Sequence, residues 1–381
     1  MTHYLLSLVA FLVASISSAQ TYYVCSGETY DIHHAASAPS ITVAKRTGKV
    51  SIGNLKYDPE EIDSIVLKRP ERLKLNTRRW MSTIPNTTSL RALTIPGAHD
   101  AATKNCGSAS QCQSLSITEL LNAGVRALDI RPRYTGDSSS DITLNNLEIY
   151  HGISATGVLF KDAIDDIDNF LAANPTETVF INLQKENSGG TDYSSTWRSS
   201  VRTCLSNHKS RVLQQLSSST TLSSCRGKMV VISHNPYGNE GVYNDIVYGA
   251  LTENWGDDES FTTNLLYTYG NIVCAAHVTD NYNAANSSAK QNYVKTNLDA
   301  ASASSDDFYI SFMNVAWKWS SPLTYPLDYA KTHNSWLNGQ LDAATWPGRL
   351  GIIYFDFCGD SRCTPGLTEN IILHNHRTLW P

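Results

Sequence analysis

No apolar run in the chain is long enough to cross a bilayer, whose hydrocarbon core is about 30 Å thick. The nearest approach, Leu5 to Val13, lies at the N-terminus and is followed by the small residues Ser17-Ser18-Ala19. That is the pattern of a cleaved secretory leader over residues 1–19, although its first residues offer only His3 and no Lys or Arg. A secreted, extracellular and soluble mature chain is expected, with no transmembrane segment. Charge is sparse as well: 17% of residues are Asp, Glu, Lys or Arg, and the net charge is −5. Nothing in that balance provides the basic footprint of a nucleic-acid binder. CxxC does not occur, which removes the usual zinc spacings. Nor does Gly-x-Gly-x-x-Gly follow the first strand-like run, which argues against a dinucleotide-binding open sheet.

What is present is a large core and a regular pattern. Hydrophobic residues make up 41% of 381, enough for a globular protein and more than the roughly 250 residues that one α/β barrel commonly takes. All eight cysteines lie outside the leader. Their even number and spacing suggest bridges Cys106/Cys112, Cys204/Cys225 and Cys358/Cys363, leaving Cys25 and Cys274 as a long-range pair. Sequons at Asn86 and Asn286 suit a secreted glycoprotein.

Residues 20–78 read as an extension, either a small hairpin region around Ile41 to Asn54 or a pro-segment with dibasic sites such as Lys45-Arg46. Over residues 79–381 strands alternate with helices. The strand-like runs are Leu90 to Ile95, Val125 to Ile130, Leu147 to Tyr150, Thr178 to Leu183, Met229 to Ile232, Ile272 to His277, Phe308 to Asn314 and Gly351 to Phe357. Helical stretches are Ile117 to Ala123, capped by Ser116 and stopped by Gly124, then Gly157 to Ala173, Trp197 to Leu216 and Ala284 to Ala303. This alternation predicts an α/β fold, a TIM-type (β/α) barrel that is irregular or incompletely closed.

In a parallel barrel the reactive groups gather at the C-terminal strand ends. His99 and Asp100 follow an apolar run through a Pro96-Gly97 turn. Asp129 and Arg131 end the next run, His151 the one after it, and Asp356 a run near the C-terminus. Two histidines suit acid–base work near neutral pH, and an arginine that stays charged suits a phosphate. Phosphodiester cleavage needs all three roles.

These residues carry a family likeness. Pro96-Gly97-Ala98-His99-Asp100, then Gly124-Val125-Arg126-Ala127-Leu128-Asp129-Ile130-Arg131, then Tyr150-His151-Gly152 resemble the X domain of phosphatidylinositol-specific phospholipase C, above all the small bacterial enzymes. The likeness runs from about residue 80 to 375. It implies that His99 is the base toward the inositol 2-hydroxyl, oriented by Asp356. His151 is then the acid toward the diacylglycerol oxygen, with Asp100 and Asp129 as its acidic partners. Arg131 stands where the eukaryotic signalling enzymes bind calcium, so the resemblance implies catalysis without a metal or other cofactor, Ca2+ or Mg2+ being the alternative. It also implies a monomer that works on a phospholipid headgroup at a membrane surface, with Lys185, Asp280, Tyr282 and Trp255 lining the headgroup pocket. His234 departs from the pattern, standing near an arginine that binds inositol in the bacterial enzymes. Two other readings compete: a metal-dependent glycerophosphodiesterase or sphingomyelinase D-like barrel, and a barrel that binds inositol lipid or glycan without turnover.

Overall fold

The computed structural model describes residues 20–36, 41–44, 47–137, 143–186, 194–234, 248–267, 271–318, 321 and 323–380. The leader and the Lys45-Arg46 site lie outside the described residues. Seven short strands come first: β1 (Thr21–Ser26), β2 (Thr29–His34), β3 (Ile41–Val43), β4 (Val50–Ile52), β5 (Leu55–Tyr57), β6 (Ser64–Val66) and β7 (Lys74–Leu75). They form one sheet in the order β6-β1-β2-β7 and a meander β3-β4-β5, which contains the expected hairpin.

A closed barrel follows. Its strands are β8 (Thr94–Ala98), β9 (Ala127–Ile130), β13 (Thr178–Leu183), β14 (Lys228–Ser233), β15 (Ala250–Thr252), β16 (Ser260–Tyr267), β17 (Asn271–Thr279), β18 (Phe308–Phe312) and β19 (Gly351–Phe355). Outside it run α1 (Ile117–Asn122), α2 (Phe160–Ala173), α3 (Ser194–Asn207), α4 (Leu222–Cys225), α5 (Ser287–Ala303), α6 (Pro326–Asp342) and α7 (Leu367–Thr378). The irregularity expected from the sequence is real, and it lies at β16, which pairs antiparallel with both β15 and β17.

Local chemistry explains most boundaries. Ser116 accepts from Glu119 N while Glu119 reaches back to Ser116 N, a capping box that starts α1, and Gly124 at φ 103 ends it. α2 buries Phe160, Ala163, Ile164, Ile167, Phe170 and Leu171, one stripe at helical spacing, and stops before Pro175.

Several expectations need correction. Leu90–Ala92 is a 3-10 turn, and the strand begins at Thr94. Pro96 and Gly97 are not a turn: both lie inside β8, where Pro96 O still accepts from Arg126 N (2.9 Å). Glycine is required at 97 because a Cβ there would meet the Tyr354 ring at 2.7 Å. Leu147 to Tyr150 is no barrel strand. It belongs to β11 (Leu147–His151), the centre of an antiparallel side sheet with β10 (Pro132–Tyr134) and β12 (Ser154–Leu159). The expected helix Trp197 to Leu216 also ends early, at Asn207.

The cysteine pairing is overturned as well, since all eight are free thiols. Their side chains turn to different neighbours. Cys358 Sγ faces the carbonyls of Phe355 (3.3 Å) and Gly97 (3.4 Å), while Cys363 Sγ accepts from Asn334 Nδ2 (3.3 Å). Cys106 Sγ faces Ala155 O, and Cys112 Sγ faces His151 Nδ1 (3.8 Å).

Two apolar clusters divide the barrel wall. Leu128, Ile130, Val179, Ile181 and Ile353 pack outward with the helices. Ala127, Phe180, Val230, Ile232, Val278, Ile310 and Ile352 pack inward. Tyr30, Ile32, Leu75, Trp80 and Met81 join the inward cluster, so the N-terminal strands plug the end of the barrel opposite the site. A buried ion pair, Arg126 Nη2 to Glu177 Oε2 at 2.8 Å, fastens that end, and Glu177 also accepts from Met81 N.

Candidate active site

Side chains alternate across a strand, so the inward set continues two residues at a time toward the C-terminal mouth. Ile95 leads to Gly97 and His99, Ala127 to Asp129 and Arg131, Phe180 to Asn182, Val230 and Ile232 to His234, Val278 to Asp280, and Ile352 and Tyr354 to Asp356. Each strand is apolar at the plugged end and polar at the mouth on one and the same face. The barrel thereby carries polar groups to the end of an apolar shaft, where they pair with one another.

His99 is 4% exposed and held on both nitrogens. Asp356 Oδ1 accepts from Nδ1 at 2.8 Å, and Asp100 Oδ2 lies 3.1 Å from Nε2. Burial works against charge on the ring, but Asp100 and Asp356 outweigh it and lift His99 to about 9. Burial also raises Asp356, against the pull of His99. Both acids sit next to backbone strain: Asp100 (φ 43) and Phe357 (φ 54) are left-handed residues other than glycine. Gln113 ties the two strand ends together, its Nε2 donating to His99 O (2.8 Å) and Phe355 O (3.0 Å).

Asp100 is the hub. Its Oδ2 is also 3.4 Å from His151 Nε2, and its Oδ1 is 3.2 Å from Arg131 Nε. His151 reaches the hub from the side sheet, since Tyr150 N bonds Arg131 O (3.0 Å) where β9 gives way to β10. His151 Nδ1 donates to Ser110 O at 2.8 Å, which leaves Nε2 facing Asp100. Arg131 forks onto Asp129 Oδ2 through Nη2 (2.7 Å) and Nε (3.1 Å). Burial would raise Asp129, but Arg131 and His99 hold it down at about 2.

The sequence-based roles of the acids are thus redistributed. Asp129, expected beside His151, belongs to Arg131 and to Asn182, whose Nδ2 donates to its Oδ1 at 3.0 Å. Because Asp129 only accepts, the orientation of Asn182 follows: its Oδ1 faces His234 Nε2 at 2.9 Å. His234 is stacked on Trp255 at 3.4 Å, and burial holds its pKa down at about 3. It is a neutral ring, not a substitute cation. Trp255 continues edge-on to Phe312, which meets His99 edge-on, so an aromatic floor runs beneath the site.

Asp280 stands one residue past β17, raised to about 6 by burial, with Lys290 and Arg131 opposing. Tyr282 lies farther out, donating to Asp257 Oδ1. Lys185 sits half-buried two residues beyond β13. Asn182 and Gln113 escaped sequence reasoning. Asn182 hides in the strand Thr178–Leu183, where only the inward parity of a polar residue marks it.

With that geometry in view, comparison with known proteins is direct. Residues 91–235 match the family described as phosphatidylinositol-specific phospholipase C, X domain. That match covers the first half of the barrel, from the turn before β8 to the end of β14. A 1-phosphatidylinositol phosphodiesterase of Listeria monocytogenes is 28% identical over 193 residues, 48% of this chain and 56% of that protein. The chain therefore spans just over half of that relative's length. One from Staphylococcus aureus is 23% identical over 308 residues, 74% of this chain and 94% of that protein.

Two solved structures share the fold around the X domain. A double mutant of the phosphatidylinositol-specific phospholipase C of S. aureus superposes with a TM-score of 0.66 at 24% identity, covering 79% of this chain and 97% of that one. The L. monocytogenes enzyme gives 0.61 at 23%, covering 78% and 98%. Among the described residues no helix is long and apolar enough to cross a membrane.

Proposed function

We propose that the chain cleaves phosphatidylinositol, free or as a glycosylated anchor, to diacylglycerol and a cyclic inositol phosphate. The observation that carries this is the bridge His99–Asp100–His151 beside Arg131: a base, an acid and a charge clamp that each stand within 3.4 Å of one carboxylate. The inositol 2-hydroxyl attacks phosphorus and gives its proton to His99 Nε2. The diacylglycerol oxygen leaves with a proton from His151 Nε2. Arg131 faces the phosphate charge, and Asp356 keeps the other proton of His99 on Nδ1.

The bridge gives this cycle a reset. After turnover His99 holds a proton and His151 lacks one, and the carboxylates of Asp100 and Asp356 hold the His99 pKa at about 9. Moving that proton through Asp100 Oδ2 to His151 restores a neutral base and a loaded acid together. One shared proton serves both roles.

The donor set also bears on the metal-dependent alternative. Asp129 Oδ2 and Asp100 Oδ1 already face the Arg131 guanidinium, so a calcium or magnesium ion would have to displace it. Catalysis without a metal fits these residues better. As part of the same reading, the protein is secreted and works as a monomer at a lipid surface. The tip of the β11–β12 hairpin supports this, because Ile153 is 95% exposed two residues from His151. The deciding experiment is product analysis on mixed phospholipids, with and without chelator. Cyclic inositol phosphate in both arms, lost in His99→Ala and in His151→Ala, is expected. Activity that vanishes with chelator, or inositol-lipid binding without product, would overturn the reading.

A further inference from the structure

One buried nucleophile in the site has no part in that chemistry. Cys112 is 1% exposed, a free thiol, with Sγ 3.8 Å from His151 Nδ1. Its sulfur, one carboxylate oxygen of Asp100 and one ring nitrogen of His151 all lie within 4.8 Å of one another. A second observation points to a ligand among them. Asp100 Oδ2 is buried and aimed between the two imidazoles, yet it accepts no hydrogen bond of proper geometry even though both rings stand at ion-pair distance. A buried acceptor left in that condition is costly, and a cation held between it and the sulfur would relieve it.

We infer that Cys112, His151 and Asp100 form an inhibitory site for a thiophilic divalent cation such as Zn2+. Three protein donors of S, N and O type suit tetrahedral zinc with water in the fourth place, on the side where His151 is 27% exposed. Hard cations are disfavoured by the same donors, since the sulfur is soft and the neighbouring Asp129 carboxylate is taken by Arg131. Burial, with Asp356 and Asp100, raises the Cys112 thiol well above its usual value, so the ion itself must ionise it. Binding forms the Zn–S bond, breaks S–H and releases that proton to solvent. It also takes His151 and Asp100 out of the proton bridge and stops turnover. The inhibitory consequence rests on the reaction proposed above, whereas the ion binding does not.

The test uses the full chain, freed of metal by chelator and kept in a phosphine reductant. Titration with Co2+ is expected to produce a thiolate-to-cobalt charge-transfer band that Cys112→Ser and Cys112→Ala both lack. Zn2+, but not Mg2+, is expected to inhibit cleavage of phosphatidylinositol in micelles, reversibly with chelator. Either Cys112 variant should raise the inhibitory concentration by more than about tenfold while leaving metal-free turnover unchanged. Absence of the band, equal zinc sensitivity of both variants, or thiol mapping that finds Cys112 in a disulfide would each overturn the inference. A cobalt band in a chain that cleaves no inositol lipid would keep the site and refute the proposed reaction instead.

Discussion

Asp356→Asn separates orientation of the base from binding of the substrate. In the native site Asp356 Oδ1 lies 2.8 Å from His99 Nδ1, and neither residue is more than 4% exposed. Asparagine fills the same volume but can turn its amide toward Nδ1, forcing the ring proton to Nε2, where it blocks proton abstraction. If its carbonyl faces the ring instead, the tautomer survives, but a charge-assisted bond of about 1.5–3 kcal/mol becomes a neutral one of about 0.5–1.5. Loss of the general-base contribution is worth about 10²–10⁴ in kcat, or about 3–5 kcal/mol of barrier. Arg131 is held by Asp100 and Asp129, not by Asp356, so KM should barely move. The pH profile supplies a second readout. Loss of the shared proton sets the alkaline limb of kcat/KM near the His99 value of about 9, and removing one carboxylate charge moves that limb toward neutrality. The assay is cleavage of labelled phosphatidylinositol across pH, with thermal denaturation to show that the variant is folded. An unchanged rate, or a lower rate with the alkaline limb in place, would refute the division of labour between the two histidines.

Arg131→Lys keeps the charge but loses the fork onto Asp129 and Asp100, so turnover should fall by about 10² or more, measured as kcat at saturating lipid. Ile153→Asp should reduce cleavage of vesicles, yet leave cleavage of a water-soluble inositol phosphodiester intact; equal losses on both would remove the hairpin tip from membrane contact. Glu177→Gln strands the fully buried Arg126 and should cost about 3–5 kcal/mol in denaturant unfolding, with residual activity per folded molecule preserved. His99 has a folded pKa of about 9 above an unfolded value of about 6.5, so its stabilisation is complete below the lower value and disappears as pH rises through the higher. The melting temperature should therefore drop across that window, and His99→Asn should flatten the drop.

Much of this was legible in the residues, for physical reasons that also explain the misses. Thr178–Leu183 was readable to the residue because a parallel strand is apolar on both faces. Leu147–His151 carries the same local pattern but pairs antiparallel beside the barrel, and pairing partners are not encoded locally. β16 went unread because its half-polar run Ser260–Tyr267 resembles a loop until β17 lies against it. In the site, His99, Asp100, Arg131, His151 and Asp356 converge as their positions at run ends suggested. Asp129 pairs with Arg131, as two residues two apart on one strand face can, and its second partner Asn182 was hidden because spacing tells which residues share a face and not which hydrogen bonds they choose. The cysteines failed for a related reason: nearness in sequence says nothing about where each sulfur points.

The two histidines stand on parts of the molecule with different prospects of survival. His99 is rooted in a ring of nine strands closed on itself, whereas His151 rides a three-stranded flap fastened through Tyr150, Ser110 and Ser154. Local opening free energies span from near zero up to the global value, and such a flap belongs to the lower end. Mild denaturant should then silence the enzyme while its far-ultraviolet signature is still native, and amide exchange in residues 147–159 should outpace exchange in β8 and β19. A protein built this way loses His151 from the site before it loses its shape.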